Sequence, residues 1–371
     1  MKTDIYTSSF LFILLMLISL PVLKAQELGE LRLIDWEPKS MLVVKETEVL
    51  KPKFPVIDIH NHLAYFDNLD SLDHYLEQMD EAGVWMVISL DGFSENDFYK
   101  EHLEAINAVS NDRFKVFFSP DFTRIDEPDF GIDEARRLEE AVKMGARGMK
   151  IFKDLGLTLR DKTGEIVPVD DPRVDPLWAK CGELGIPVMI HTTDPKAFHA
   201  GPVDRFNERY DELHEHPEWS FYGDEFPSKD EVLEQRNRVF ARHPNTIFIG
   251  AHVGNLPEEL GRVAMWLEKY PNFYIDINAR ISELGRQPYT ARRFMIQYQD
   301  RILFGTDTPP RAKAYRVHYR FLETDDEYFD PTPAHKLQGR WMIYGLYLPD
   351  EVLEKIYNKN ALKIFSKFKG I

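Results

Sequence analysis

The sequence predicts an α/β protein of the (β/α)8 TIM-barrel class, and three observations carry that expectation. From Pro55 onward, short apolar, β-rich runs alternate with amphipathic stretches, the pattern of parallel strands joined by crossover helices. Eight such runs occur, which favours a sheet closed on itself over an open doubly wound one. Several runs end directly in polar residues of catalytic type, and in a barrel the strand C-terminal ends converge on one mouth.

Taken in order, the first run is Val56–His60, which leads into Asn61-His62. After it, Ser71–Ala82 (SLDHYLEQMDEA) places apolar residues three or four apart, as a helix with one buried face requires. Trp85–Leu90 leads into Asp91-Gly92, and Lys115–Ser119 precedes a second amphipathic stretch, Ile132–Met144. Arg147–Phe152 is followed by a helical stretch, Pro176–Leu184, that holds the single cysteine, Cys181. The fifth run, Pro187–His191, opens a long connection, Thr192 to Asn245, with an aromatic and acidic segment around Phe206–Phe226. Thr246–Ala251 leads into His252 and the helical stretch Leu256–Tyr270. Phe273–Ile277 and Arg301–Gly305 complete the eight, the last leading into Thr306-Asp307. The eighth connection, Thr308 to about Gly345, is also long and carries Tyr315, Tyr319, Phe321, Tyr328 and Phe329. Long barrel loops read as substrate walls or lids, with contact in a homo-oligomer as the alternative.

The 371 residues are 43% hydrophobic and 29% charged, ordinary values for a folded chain with a substantial core. Residues 1–25 differ from the rest. Lys2 precedes an apolar run from Phe10 to Leu20, then Pro21 and Lys24-Ala25-Gln26, which reads as a signal peptide too short to span a bilayer. The expected organisation is therefore a leader at 1–25, an N-terminal extension at 26–54 with β-like runs (LRLIDW, MLVVKETEV) that cap or edge the barrel, and the barrel at 55–371. Export to the periplasm or medium follows as an expectation, with no membrane span once the leader is removed. The net charge of −16 argues against nucleic acid as a partner, so a small-molecule substrate is expected. With one cysteine no internal disulfide can form, and Cys181 reads as a small buried apolar residue.

Alternation along the first strand puts Asp58, His60 and His62 on one face, so two imidazoles converge on the mouth. Alone, a His-x-His is a weak signal. The set is stronger, because His191 closes the fifth strand, His252 the sixth and Asp307 the eighth, all at the catalytic end. Neutral imidazoles with a carboxylate suit Zn2+, and also Mn2+, Fe2+ or Co2+, in a site with an open position. Gly148, Gly250 and Gly305 stand two residues before Lys150, His252 and Asp307, which would leave space beneath the site. Arg280 and Arg286 follow the seventh strand and Arg311 follows Asp307, so guanidinium groups are candidates for a substrate carboxylate or phosphate. Phe152, Trp219, Phe221, Tyr222 and Tyr289 are candidates for stacking on a ring or sugar.

This pattern resembles the amidohydrolase superfamily. The motifs Gly250-Ala251-His252-Val253-Gly254 and Phe304-Gly305-Thr306-Asp307, with Ile356-Tyr357-Asn358-Lys359-Asn360-Ala361-Leu362-Lys363-Ile364-Phe365, resemble its amidohydrolase-related branch, which includes aminocarboxymuconate-semialdehyde decarboxylase and related lactone hydrolases. The resemblance implies one divalent ion on His60, His62, His191 and Asp307, with Asp307 and His252 in acid/base or electrostatic roles. Some superfamily members carry a carbamylated lysine on the fourth strand that bridges two metals. The branch argues against that here, and Lys150 reads as a substrate-contacting or ion-paired cation. Asp58 reads as a hydrogen-bond acceptor behind the ligands. The expected activity is metal-dependent hydrolysis of a small amide, lactone or ester; non-oxidative decarboxylation of a small carboxylated substrate on the same site is the alternative.

Overall fold

The computed structural model describes residues 38–64, 71–110, 112–335 and 338–367, with Arg32 and Trp36. The expected leader lies outside the described residues. The chain divides into two units, Met1–Val43 and Val44–Ile371. The described residues of the first carry no helix or strand.

The second unit is the barrel. Its strands are β1 (Val56–Asn61), β2 (Val84–Phe93), β3 (Phe114–Ser119), β4 (Met149–Ile151), β5 (Val188–Ile190), β6 (Phe248–Gly250), β7 (Phe273–Asp276) and β8 (Ile302–Leu303). They pair in parallel in sequence order. Backbone bonds from Ile59 N to Phe304 O (3.1 Å) and from Asp307 N to His60 O (2.8 Å) join the eighth strand's end back to the first. Each strand is followed by a barrel helix: α1 (Leu72–Ala82), α2 (Phe98–Val109), α3 (Phe130–Met144), α4 (Asp175–Leu184), α5 (Lys229–Arg242), α6 (Leu260–Lys269), α7 (Pro288–Gln297) and α8 (Ala312–Glu323). Local chemistry marks their ends. Ser228 caps α5 by accepting from Glu231 N (3.1 Å), and Pro176 sits in the first turn of α4, where no N–H is missed.

Strands covered on both faces read as near-continuous apolar runs, and the core has two layers accordingly. Ile57, Ile88, Phe117, Met189, Ile249 and Leu303 form one cluster, with the alternate strand residues packing against helices in the other. Cys181 is buried in that outer layer, 3.9 Å from Met149 Sδ, and burial pushes its thiol far up, so it is inert packing.

Three expectations need correction. The space beneath the site is filled: a Cβ at Gly148 would meet the Phe117 ring at 2.5 Å, one at Gly250 the Phe273 ring at 2.7 Å, and one at Gly305 the His60 Cβ at 2.9 Å. These glycines admit neighbours rather than leave voids. In the eighth connection Tyr315, Tyr319 and Phe321 belong to α8 and are core residues, not walls, because an amphipathic helix turns its large apolar side chains inward. Residues 41–49 form no strand, since a closed barrel offers no free edge to pair with. The stretch from Val44 instead follows the C-terminal end of α8, where Thr47 binds Asp326 through its N and Oγ1 (2.7 Å each) and Lys53 N reaches Glu323 Oε1 (3.2 Å). Barrel helices run antiparallel to their strands, so this edge lies opposite the catalytic end.

Candidate metal centre

His60 and His62 leave the end of β1 buried, each tied from behind by a carboxylate. His60 Nδ1 lies 2.8 Å from Asp276 Oδ2 at the end of β7, and His62 Nδ1 lies 2.6 Å from Asp91 Oδ1 on β2. An ionised carboxylate only accepts, so both Nδ1 atoms carry the proton and both Nε2 atoms offer lone pairs. Those two Nε2 atoms stand 3.2 Å from one oxygen, Asp307 Oδ1. Two lone pairs aimed at a carboxylate oxygen repel it unless a cation stands between them or the rings take up a second proton. His60 Nε2 is buried with no hydrogen-bond partner among the described residues. The donor set of two imidazoles and one carboxylate, all within 4.8 Å of one another, therefore fits a divalent ion. It is the one such group found among the described residues.

Without an ion, a second proton on His62 takes its place. Burial works against charge on His62, yet Asp91 and Asp307 raise its pKa to about 9. Burial also works against charge on Asp307, and His60, His62 and His252 overcome it, holding the carboxyl well below its ordinary range. Burial keeps His252 neutral, with Arg280 adding to the effect. Its Nδ1 faces Asn278 O at 3.4 Å and its Nε2 faces Asp307 Oδ2 at 3.9 Å. His252, Ala279 and Asp307, just past β6, β7 and β8, all have left-handed backbone (φ 55°, 46° and 63°), a conformation non-glycine residues hold only where their surroundings impose it.

His191 is adjacent but stands apart from the three. Its ring packs edge-on against His252 with centroids 4.4 Å apart, and its Nε2 is 3.5 Å from Asp194 Oδ1. Asp58 turns toward α8 and β8, accepting from Tyr315 OH (2.8 Å), Thr306 Oγ1 (2.6 Å) and Asn61 Nδ2 (3.0 Å). Regular alternation along β1 is broken there by register shifts against β2.

A cavity of about 700 Å³ opens beside the cluster, lined by His62, His191, His252 and Asp307. The long fifth connection supplies Glu212, Trp219 and Phe221 to its wall, as expected of a long barrel loop, and Phe152 lines it next to His62. Tyr222 and Tyr289 are exposed elsewhere. Of the cationic candidates, Arg280 lines the cavity, with Nη1 bonded to Ala279 O (2.6 Å) and Nη2 4.0 Å from Asp194. Lys150 is buried at β4 with no hydrogen-bond partner for Nζ among the described residues, its ammonium lying 4.9 Å from the centroid of the Phe152 ring, and burial lowers its pKa to about 8 against the pull of Asp307, Asp276 and Asp91. Arg286 and Arg311 do not line the cavity: Arg286 pairs with Glu208 (2.7 and 2.8 Å), and Arg311 is exposed at the start of α8. Sequence reasoning missed Asp276 and His335. Asp276 carried a signal, a carboxylate at a strand end in phase with Asn278; His335, which also lines the cavity, sits in a loop without periodicity.

Residues 57–367 match the Amidohydrolase family. The chain belongs to that family. As a member of it, the protein is a metal-dependent enzyme of the amidohydrolase superfamily. No curated protein matches it in sequence. Among solved structures this family member resembles a TIM-barrel protein of Bordetella bronchiseptica (17% identity, TM-score 0.55, covering 85% of this chain and 99% of that one). It also resembles 2,6-dihydroxybenzoate decarboxylase from Rhizobium (18%, 0.54, 84% and 99%). A third is a dihydroxybenzoic acid decarboxylase from Polaromonas sp. with bound manganese and 2-nitroresorcinol (18%, 0.54, 84% and 97%). At these identities the likeness is one of fold.

Proposed function

We propose that this protein is a metal-dependent hydrolase that cleaves a small amide, lactone or ester with water. The observation that carries the reading is the pair of imidazole Nε2 atoms at 3.2 Å from one oxygen of Asp307, with His252 Nε2 facing the other oxygen at 3.9 Å. His60, His62 and Asp307 would hold one divalent ion, and His191 would join them as a fourth ligand by turning its Nε2 from Asp194. Zinc suits the donors, and manganese, present in the Polaromonas structure, suits them as well. When bound, such an ion lowers the pKa of a water to about 7 and polarises the acyl oxygen. Asp307 accepts the proton that water loses as its oxygen adds to the acyl carbon. His252, whose Nδ1 proton is held by Asn278 O, has its Nε2 lone pair toward Asp307 and relays that proton to the leaving nitrogen or oxygen as the acyl bond breaks.

Non-oxidative decarboxylation of a small carboxylated substrate is the second reading, and the Rhizobium and Polaromonas proteins are named as decarboxylases. The cavity weighs against it. Asp154, Asp194, Glu212, Glu218 and Asp307 line it against Lys153 and Arg280, and both cations face Asp194. With the ion's own two charges counted beside Lys153 and Arg280, the five carboxylates leave a lining only slightly negative, which leans against a substrate carboxylate. The leader-like residues 1–25 place the reaction outside the cytoplasm in this reading, which N-terminal sequencing of exported protein beginning at Gln26 would support and retention of Met1 would refute.

The test is elemental analysis of wild type beside a His60→Ala/His62→Ala double variant, followed by assays of lactones, amides and esters against carbon dioxide release from carboxylated rings. Metal bound by wild type, lost in the variant, with acyl cleavage, supports the reading. Carbon dioxide release without acyl cleavage replaces it with the second, and a wild type that takes up no metal removes both.

A further inference from the structure

His252 stands in backbone that an L residue avoids, and its neighbours share it. His252, Val253, Gly254 and Asn255 all have left-handed φ (55°, 59°, 62° and 60°), in a turn closed by Asn255 N donating to Ala251 O (2.7 Å). Glycine and asparagine tolerate this conformation; a histidine resists it, and a β-branched valine resists it most. One end of the turn is held by Asp276, whose Oδ1 accepts from His252 N (2.8 Å) while its Oδ2 orients the His60 ring. The other end is held by two cations seven residues apart on α5, which places them on one face of the helix. Arg236 donates from Nη1 to Gly254 O (2.7 Å), and Lys229 donates from Nζ to Asn255 O (2.7 Å) and to Asp194 O. Asn255 Oδ1 in turn faces Thr192 N and Oγ1 (3.3 and 3.2 Å), so the loops that follow β5 and β6, which carry His191 and His252, are tied at the same place.

Neither cation forms an ion pair among the described residues, although both are more than nine-tenths buried. Burial lowers their pKa values, Lys229 to about 7 and Arg236 to about 9. Lys229 also sits in the first turn of its helix, where the dipole repels a positive charge. A peptide flip that let residues 252–255 relax would withdraw both carbonyls, leaving Lys229 only Asp194 O and Arg236 only the side chain of Asn237. Buried charges short of acceptors cost free energy, so the strained turn and the two cations lock one another. We propose that Lys229 and Arg236 are positioning residues that hold the turn 252–255 in its left-handed form and so fix where the His252 imidazole stands against Asp307. Their effect on rate rests on the hydrolase reading, in which that ring relays the proton; their hold on the turn does not.

The test compares the full-length, zinc-loaded wild type with Lys229→Met, Arg236→Met, Val253→Gly and the Lys229→Met/Val253→Gly pair. Crystal structures of the two methionine variants are expected to show residues 252–255 out of left-handed φ and the His252 ring displaced from Asp307 Oδ2, with metal content as in wild type. A displacement of about 1 Å should lower kcat about 100-fold on an acyl substrate that wild type cleaves, with KM little changed. Lys229→Arg, which keeps donors for both carbonyls, should retain most of the rate. Glycine adopts left-handed backbone without strain, so in the Val253→Gly chain Lys229→Met should cost less than about tenfold, and where a methionine variant fails to fold the same glycine should restore folding. A turn that stays in place without the cations, an equal loss of rate in both backgrounds, or a glycine that restores nothing overturns the positioning role. A wild type that cleaves no acyl substrate removes the hydrolase reading and leaves the crystal structures to decide the hold on the turn.

Discussion

Each imidazole at the cluster has its proton placed by the carboxylate behind it, and this is where single substitutions should tell most. Asp276→Asn weakens the hold on the His60 Nδ1 proton, and metal affinity should fall about 10- to 100-fold, read by competition with a chelator. Unchanged affinity would mean that Asp276 does not set the His60 tautomer. Gly305→Ala puts a methyl 2.9 Å from the His60 Cβ, and a clash in close packing costs about 1–3 kcal/mol. The expected outcome is a lower melting temperature together with reduced metal content; a normal metal content would show that the strand yields without moving the ligand. Because His62 in the metal-free protein has a pKa of about 9, binding an ion must release its proton. Apparent metal affinity should therefore rise by about tenfold per pH unit from pH 7 toward 9, with calorimetric heats that depend on the buffer. A flat profile would contradict the raised pKa.

Among the elements, the short helix Tyr210–Glu215 in the fifth connection links the wall of the cavity to its neighbours. On one side Glu212 faces the cavity. On the other, Arg209 is buried between Glu212 (3.0 Å) and Glu283, Glu208 pairs with Arg286, and Asp211 pairs with Arg340 (2.5 and 3.0 Å). Trp341 joins this seam, stacked by Arg286 at 4.0 Å and donating its Nε1–H to Ser282 O (2.9 Å). The exposed pairs contribute little, but Arg209 is different, since losing it leaves the buried Glu283 carboxylate uncompensated, a cost of about 3 kcal/mol or more. Arg209→Leu should speed proteolytic cleavage within 200–228 and raise KM more than it lowers kcat; a resistant loop with unchanged KM would show that apolar packing alone holds the wall.

Over the whole molecule, stability should carry a clear acid limb. His318 is buried and His199 and His335 are half-buried, and loss of solvent around the rings keeps all three neutral, with pKa values lowered to about 3 for His199 and His335 and about 4 for His318 from 6.5. Between those values and 6.5 the unfolded chain binds more protons than the folded one, so stability rises with pH there and is lost as pH falls from about 6.5 toward 4. Each such histidine contributes a slope of up to about 1.4 kcal/mol per pH unit. Urea unfolding of chelator-treated protein from pH 7.5 to 4.5 should show the denaturation midpoint falling steadily below pH 6.5. A midpoint that stays level to pH 5 would mean that these rings accept protons in the folded state.

The fold was readable from the chain because both periodicities are local: Val56–Asn61 and Val188–Ile190 had to be strands buried on both faces, and Leu72–Ala82 and Phe130–Met144 had to be helices with one apolar stripe. The cluster was readable for a related reason, since a barrel brings every strand's C-terminal end to one mouth, whatever the separation of His60 and Asp307 in sequence. Tertiary structure alone decided the rest. Asp91 and Asp276 orient the imidazoles, Asp58 turns to Tyr315, Arg286 turns to Glu208, and His335 meets the carbonyl of Thr306. Side-chain pairs of this kind join residues far apart in the chain through loops without periodicity, where angle and distance are set by packing and leave no repeating trace in the sequence.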